Sequence, residues 1–212
     1  MLYYVYYYFT NTSLTAGLQQ LNKPTQSKYE LLITPNSYTY SYQCWLYIAT
    51  PSIGTIFCRK SDATTLNTDF EVDINGQELL VKAGKGNDTP KTVMSVMKNF
   101  PIQKWTYLVI NVRNLQTYEA YINGKLVKTV NIPSGSGNSP VPSSNTSDLY
   151  IGDKKIDGYV TKFTRTDKTI DAKTAWDNYL SGNGLSNFIN LPYGLKMSIS
   201  KGEEIQRVVN VF

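Results

Sequence analysis

The chain has 212 residues, a formal net charge of +5 from 21 basic and 16 acidic side chains, 17 tyrosines, two cysteines and no histidine. That length suits one large all-β domain or two small ones and buries roughly 70% of the unfolded surface, so no disulfide or metal is needed as a staple. The missing histidine excludes Ser-His-Asp and Cys-His catalysis and most zinc sites, and the scattered Lys and Arg residues do not form the basic stripe of a nucleic-acid binder.

The opening run MLYYVYYYF lacks the basic segment and the small-residue cleavage site of a signal peptide. It reads as a β-strand of the mature protein. Its alternate residues Tyr4, Tyr6 and Tyr8 form an aromatic face: either the buried side of an outer strand or an interface patch, since tyrosine is enriched where proteins meet. No run approaches the about 18 apolar residues of a membrane span. Residues 10–28 read as a polar connection and 29–33 as a strand. A long strand follows from Tyr38, with Tyr38, Tyr40, Tyr42, Cys44, Leu46 on one face and Trp45 beside them. Residues 51–54 turn the chain and 55–59 are expected to pair back as a hairpin. Cys44 and Cys58 would then lie nearly opposite each other. A cross-strand disulfide is geometrically open to them, and two buried free thiols suit a chain with no sign of export.

Residues 70–74 and 78–82 flank a hairpin signal at Asn75-Gly76, and 93–97 is a further strand. The clearest stretch is 105–130, WTYLVINVRNLQTYEAYINGKLVKTV. Trp105 opens a strand rich in aromatic and β-branched residues. A polar turn at 114–117 leads to a second strand, and Asn123-Gly124 supplies the two positive φ angles of a type I′ turn into a third. Residues 133–148, PSGSGNSPVPSSNTSD, form no packed element and read as a surface loop or covering arm in which Ser136, Asn138 and Val141 are candidate partner contacts. Strands at 149–152 and 159–165, marked by Gly152 and Gly158, close the body. A helix is predicted over 172–180, with Asp171 as N-cap, Ile170 as staple, Trp176 on its apolar side and Gly182 or Gly184 ending it. The tail reads as a hairpin turned at Lys201-Gly202, carrying Tyr193 and Lys196 as further candidate contacts.

Glu71 and Asp73 lie two residues apart on one strand face, within about 7 Å, inside the range of paired catalytic acids. The third carboxylate of a strand-borne glycosidase triplet would stand at 75 or 76, where the chain has Asn75 and Gly76. The pair therefore reads as solvent-facing charges beside a hairpin. Glu203 and Glu204 are adjacent and face opposite ways. Asp148, Asp153 and Asp157 fall near strand ends, where turn chemistry explains them as well as calcium does. Asn11, Asn87 and Asn145 begin N-x-S/T triplets, which matter only on a secretory route. No catalytic residue, metal ligand or cofactor is assigned.

In order, YTYSYQCWLYI with GTIFCRK, the Trp105 strand, YINGKLV, LYIGD, IDGYVTKFTR and the helix after Ile170 resemble the laminin G-like, concanavalin A-type lectin/glucanase superfamily. The resemblance covers about residues 28–182 and implies an all-β, two-sheet antiparallel jelly-roll sandwich with a concave face, one short C-terminal helix and a terminal β-hairpin. The expected division is a sandwich over 1–182 and an extension over 183–212. The superfamily holds lectins, glycosidases and adhesion modules, so the fold leaves function open. The tail and tyrosine-rich start resemble laminin G-like proteins of large DNA viruses of algae and protists. That implies a non-enzymatic minor capsid protein contacting other capsid subunits in the virion. The alternatives are a carbohydrate-binding module with a glycan partner and a glycoside hydrolase or lyase using Glu71 and Asp73. Outside a virus, the expected location is cytoplasmic. Neither nucleic acid nor a membrane span is expected.

Overall fold

The computed structural model describes residues 13–15, 17–32, 34, 36–60, 68–83, 91–132, 147–184, 195–201 and 204–211. In chain order the strands are β1 (Gln19–Gln20), β2 (Thr25–Ser27), β3 (Tyr40–Ile48), β4 (Ser52–Lys60), β5 (Thr68–Gly76), β6 (Glu78–Ala83), β7 (Lys91–Met97), β8 (Thr106–Arg113), β9 (Thr117–Ile122), β10 (Lys125–Asn131), β11 (Asp148–Ile151) and β12 (Gly158–Thr166). Helix α1 (Ala172–Leu180) follows, then β13 (Leu195–Lys201) and β14 (Glu204–Val211). One six-stranded sheet runs β1-β12-β3-β8-β9-β10 and the other β2-β11-β4-β5-β6-β7; β13 and β14 form a two-stranded sheet of their own. All pairings are antiparallel. This is the expected jelly-roll sandwich.

Alternation places the core. In β3, Tyr40, Tyr42, Cys44, Leu46 and Ile48 point between the sheets, where they meet Phe57, Phe70, Val72, Leu108, Ile110 and Phe163. Tyr42 stacks on Phe70 at 5.3 Å, and Phe57 meets Phe163 edge-on at 4.8 Å. Each such fully buried ring contributes about 1.5–3 kcal/mol. Tyr38, expected on this face, precedes the strand and is 61% exposed.

The central strands of the first sheet, β3, β8 and β9, are covered on both sides. Trp45, Tyr107, Val109 and Tyr121 on the outer face meet Ile170 and Ala175, so TYLVINV of β8 is buried throughout. Asn111 anchors this packing: its side chain donates to the Ile170 carbonyl at 2.8 Å and accepts from the Ile170 N–H at 3.0 Å. The Asp171 carboxylate accepts from the Thr174 N–H at 2.8 Å, which caps α1 and holds that carboxyl below its usual range. Asn123 and Gly124 take φ values of 51° and 75°, as the type I′ turn requires. The hairpin tucks under the helix, and a Cβ on Gly124 would stand 2.8 Å from Trp176 Cα. Gly124→Ala should cost about 2–3 kcal/mol in urea unfolding and disturb near-ultraviolet signals from Trp176, since it combines left-handed strain with displaced packing.

Several expectations need correction. The strand expected over 29–33 is not formed, for Tyr29–Leu31 is a 3₁₀ turn and Leu32 after it turns into the core. The chain crosses from the edge of the second sheet to the middle of the first at this point, and β3 already has β12 and β8 on its two sides. The polar connection 10–28 contains β1 and β2, short edge strands that pair with β12 and β11. β3 and β4 do not form a hairpin: they lie in opposite sheets, and Cys44 and Cys58 are free and buried. Asn75 pairs with Glu78, so the turn centres on Gly76-Gln77, with the positive φ (68°) at its first central residue in the manner of a type II′ turn.

Candidate functional site

With α1 lying on the first sheet, the outer face of the second sheet is the polar surface of the sandwich. One register row crosses all six of its strands: Gln26, Tyr150, Cys58, Glu71, Lys82 and Thr92, each paired with the next. The alternate residues Leu149, Phe57, Phe70, Val72 and Val81 point into the core, and this fixes the row outward. Asp73, two residues along β5, joins Glu71 on that face. Lys82 reaches both carboxylates, with Nζ 3.2 Å from Glu71 Oε1 and in close contact with Asp73 Oδ2.

These carboxylates are not solvent-facing, contrary to the sequence expectation. The Glu71 and Asp73 side chains are only 16% and 13% exposed. β5 lies inside the sheet with β4 and β6 on its flanks, so neighbouring side chains cover both groups, a consequence of strand order that local sequence does not carry. Burial, then the neighbouring Asp73, pushes the Glu71 carboxyl up to about 7 against the pull of Lys82. Burial works against the Lys82 charge, and the hydrogen bonds and charges of Asp73 and Glu71 outweigh it, raising the ammonium above its usual value. Asp73 Oδ1 is buried and has no hydrogen-bond partner among the described residues. Burial pushes the Cys58 thiol up to about 12, which keeps it protonated and unreactive.

Toward the β2 edge the same face carries Lys60, whose Nζ lies 4.6 Å from the centre of the Tyr150 ring. Asp148 accepts from Gln26 at 2.5 Å and from Lys28 at 3.0 Å. The three aspartates weighed for calcium do not converge: Asp148 is engaged there, Asp153 accepts from the Lys155 N–H in its own turn and from the Thr55 N–H of β4, and Asp157 follows that turn. Among the described residues no group of three His, Cys, Asp or Glu side chains is placed to hold a metal.

Tyr4, Tyr6, Tyr8, Ser136, Asn138, Val141 and Tyr193 lie outside the described residues, as do Asn11, Asn87 and Asn145. Lys196 stands in β13, paired with Asn210. Of the residues marking the fold, Trp45 packs on Tyr107 and Tyr179, and Trp105 on Tyr47. Gly152 and Gly158 each sit where a Cβ would fall 2.3 Å from a backbone oxygen, those of Leu21 and Tyr47. Sequence reasoning weighed Glu71 and Asp73 but set them aside, read Cys58 only as a thiol or disulfide partner, and missed Lys82, Tyr150 and Lys60. The period-two alternation of β6 puts Lys82 outward, but only the β5–β6 register sets it opposite Glu71. No helix among the described residues is long and apolar enough to cross a membrane.

Two packed six-stranded antiparallel sheets with α1 on one of them define a concanavalin A-like sandwich. The family model for the concanavalin A-like lectin/glucanase superfamily matches residues 22–184, and the chain belongs to that family. No curated protein matches its sequence. Among solved structures, it is similar to the botulinum neurotoxin serotype D ligand-binding domain in complex with N-acetylneuraminic acid, with a TM-score of 0.62, 13% identity, and coverage of 81% of this chain and 43% of that one. The serotype G binding domain gives 0.58, 16%, 80% and 44%. The binding domain of neurotoxin DC in complex with rat synaptotagmin II gives 0.55, 18%, 74% and 39%. The chain thus spans less than half the length of these domains, and at such identity the likeness is one of fold.

Proposed function

We propose that this chain is a non-catalytic binding module that holds a hydroxyl-rich ligand, a glycan, on the outer face of its second sheet. The observation that carries this reading is the Glu71–Asp73–Lys82 cluster. Carboxyl and ammonium groups are held side by side at partial burial, a ready set of acceptors and donors for ring hydroxyls. Tyr150 and Lys60 extend the set with an aromatic body and a second cation. Partial burial strengthens such hydrogen bonds relative to open water. Proteins of similar fold are described in complex with N-acetylneuraminic acid and with synaptotagmin II, which makes recognition the role to test first. Catalysis is disfavoured because Asn75 occupies the place of a third carboxylate and Lys82 is ion-paired with both Glu71 and Asp73.

A glycan array probed with the full chain tests this. Binding should appear for a restricted set of glycans and fall about tenfold in Lys82→Met and Glu71→Gln, while both variants still melt cooperatively. A wild-type chain that binds no glycan sinks the reading. The C-terminal hairpin favours a second one, assembly with other protein subunits. Among the described residues β13 and β14 pair only with each other, and a lone two-stranded ribbon is marginal in water until another surface covers it. In this form the protein is the minor virion component that the tail's resemblance implies. Chains lacking residues 190–212 would then fold but be missing from purified particles.

A further inference from the structure

We propose that Glu71 and Asp73 share one proton, so that the face they form is an acid-switched site that favours anionic ligands when the proton is held. The ligand half of this rests on the binding reading above; the proton half does not.

Asp73 offers two acceptor oxygens. Lys82 occupies Oδ2, while Oδ1 is out of reach of solvent and receives no hydrogen bond among the described residues. A buried acceptor of this kind takes its hydrogen bond from a protein donor or an ordered water. Lys82 is already committed to Asp73 Oδ2 and Glu71 Oε1. From β4, Thr55 is the register partner of Asp73 and Cys58 that of Glu71. The Cys58 thiol is a weak donor. Lys60 lies over the Tyr150 ring, and Asp153, from the turn after β11, is an acceptor for Thr55 and Lys155 N–H groups. Across β6, Leu80 stands opposite Asp73, and Glu78 accepts from Ser95 of β7 at 2.6 Å. Glu71, on the same face of the same strand, is the group that can bring a strong donor to Oδ1. When it carries its proton, the O–H points to Asp73, and the three groups sum to zero charge. When the proton leaves to solvent, two carboxylates face one ammonium and the cluster is left with one net negative charge. The high carboxyl value of Glu71 agrees with this arrangement.

The test begins without ligand. Carbon-13 NMR of side-chain carboxyls in the full chain, followed from pH 4 to 9, should show Glu71 titrating near neutrality, and Asp73→Asn should lower its midpoint by about one pH unit or more. A wild-type Glu71 that titrates in the ordinary carboxyl range overturns the shared proton, whatever the chain binds. The second arm measures binding of a carboxylate-bearing glycan and its neutral counterpart at pH 6 and pH 8. The acidic glycan should bind about fivefold more weakly at pH 8 and the neutral one nearly equally. Equal pH dependence for both glycans, or none for the acidic one, overturns the switch. Absence of glycan binding at either pH overturns the switch and the binding reading together, and leaves the NMR midpoint to decide the shared proton alone.

Discussion

Gly152→Ala is expected to cost about 3–5 kcal/mol of unfolding free energy. Gly152 has a φ of 99°, and an added Cβ would meet the Leu21 carbonyl oxygen at 2.3 Å, with the Leu21 backbone carbon at 3.1 Å. The clash is with backbone, so no rotamer relieves it. Leu21 is fully buried and its N–H donates to the Gly158 carbonyl at 2.9 Å, while the Gly152 N–H donates to Ile56 at 2.8 Å. Moving Leu21 therefore loosens the β1–β2 turn from both sheets, adding lost apolar burial to backbone strain. Gly76→Ala is the control, with a φ of 68° and nothing within 4 Å of its Cβ position, and should cost only about 1–2 kcal/mol. Urea unfolding of the two variants measures the difference. Equal losses would show that the Leu21 turn yields without penalty.

Lys82→Met should destabilise the sandwich by about 2–3 kcal/mol at pH 8 and by less at pH 5. Removing one partner of a buried ion pair leaves the other charge uncompensated, and here two carboxylates are left facing each other. The Lys82 side chain is 27% exposed, so the loss falls short of that for a fully buried pair. The sign of the pH effect follows from Glu71. Its folded carboxyl value, about 7, lies above its ordinary 4.5, so the folded state holds the proton more tightly than the unfolded chain. The associated stability is present in full below about 4.5 and is lost as the pH rises towards about 7. Without Lys82, which pulls the Glu71 value down, Glu71 holds its proton to still higher pH, which steepens the loss. Thermal melts at pH 5 and pH 8 check this. A loss of the same size at both values would mean that Lys82 acts through packing of its methylenes alone.

Much of the scaffold was readable before any fold was built. Val109 and Ile110 with their aromatic neighbours, Asn123-Gly124, and Asp171 ahead of Ala175 and Trp176 obey local rules: pleat preference, turn dihedrals and N-capping act within a few residues, so the sequence alone places β8, β9, β10 and α1. Residues 29–33 were misread because an apolar run does not reveal whether a free sheet edge is within reach. β3 and β4 were misread because a sharp turn looks the same within a hairpin and between sheets. The disulfide option for Cys44 and Cys58 ended with that hairpin.

The site divides along the same line. The sequence by itself determined that Glu71 and Asp73 share a strand face, that Asn75 stands where a third carboxylate would be needed, and that these 212 residues include no histidine. Tertiary structure alone decided that β5 is an inner strand, that its carboxylates are consequently covered, and that Lys82 from β6 stands opposite Glu71. Charge, polarity and alternation are properties of residues and near neighbours. Burial and cross-strand register arise from segments brought together across the chain, and they turn two ordinary surface acids into a coupled, partly desolvated group.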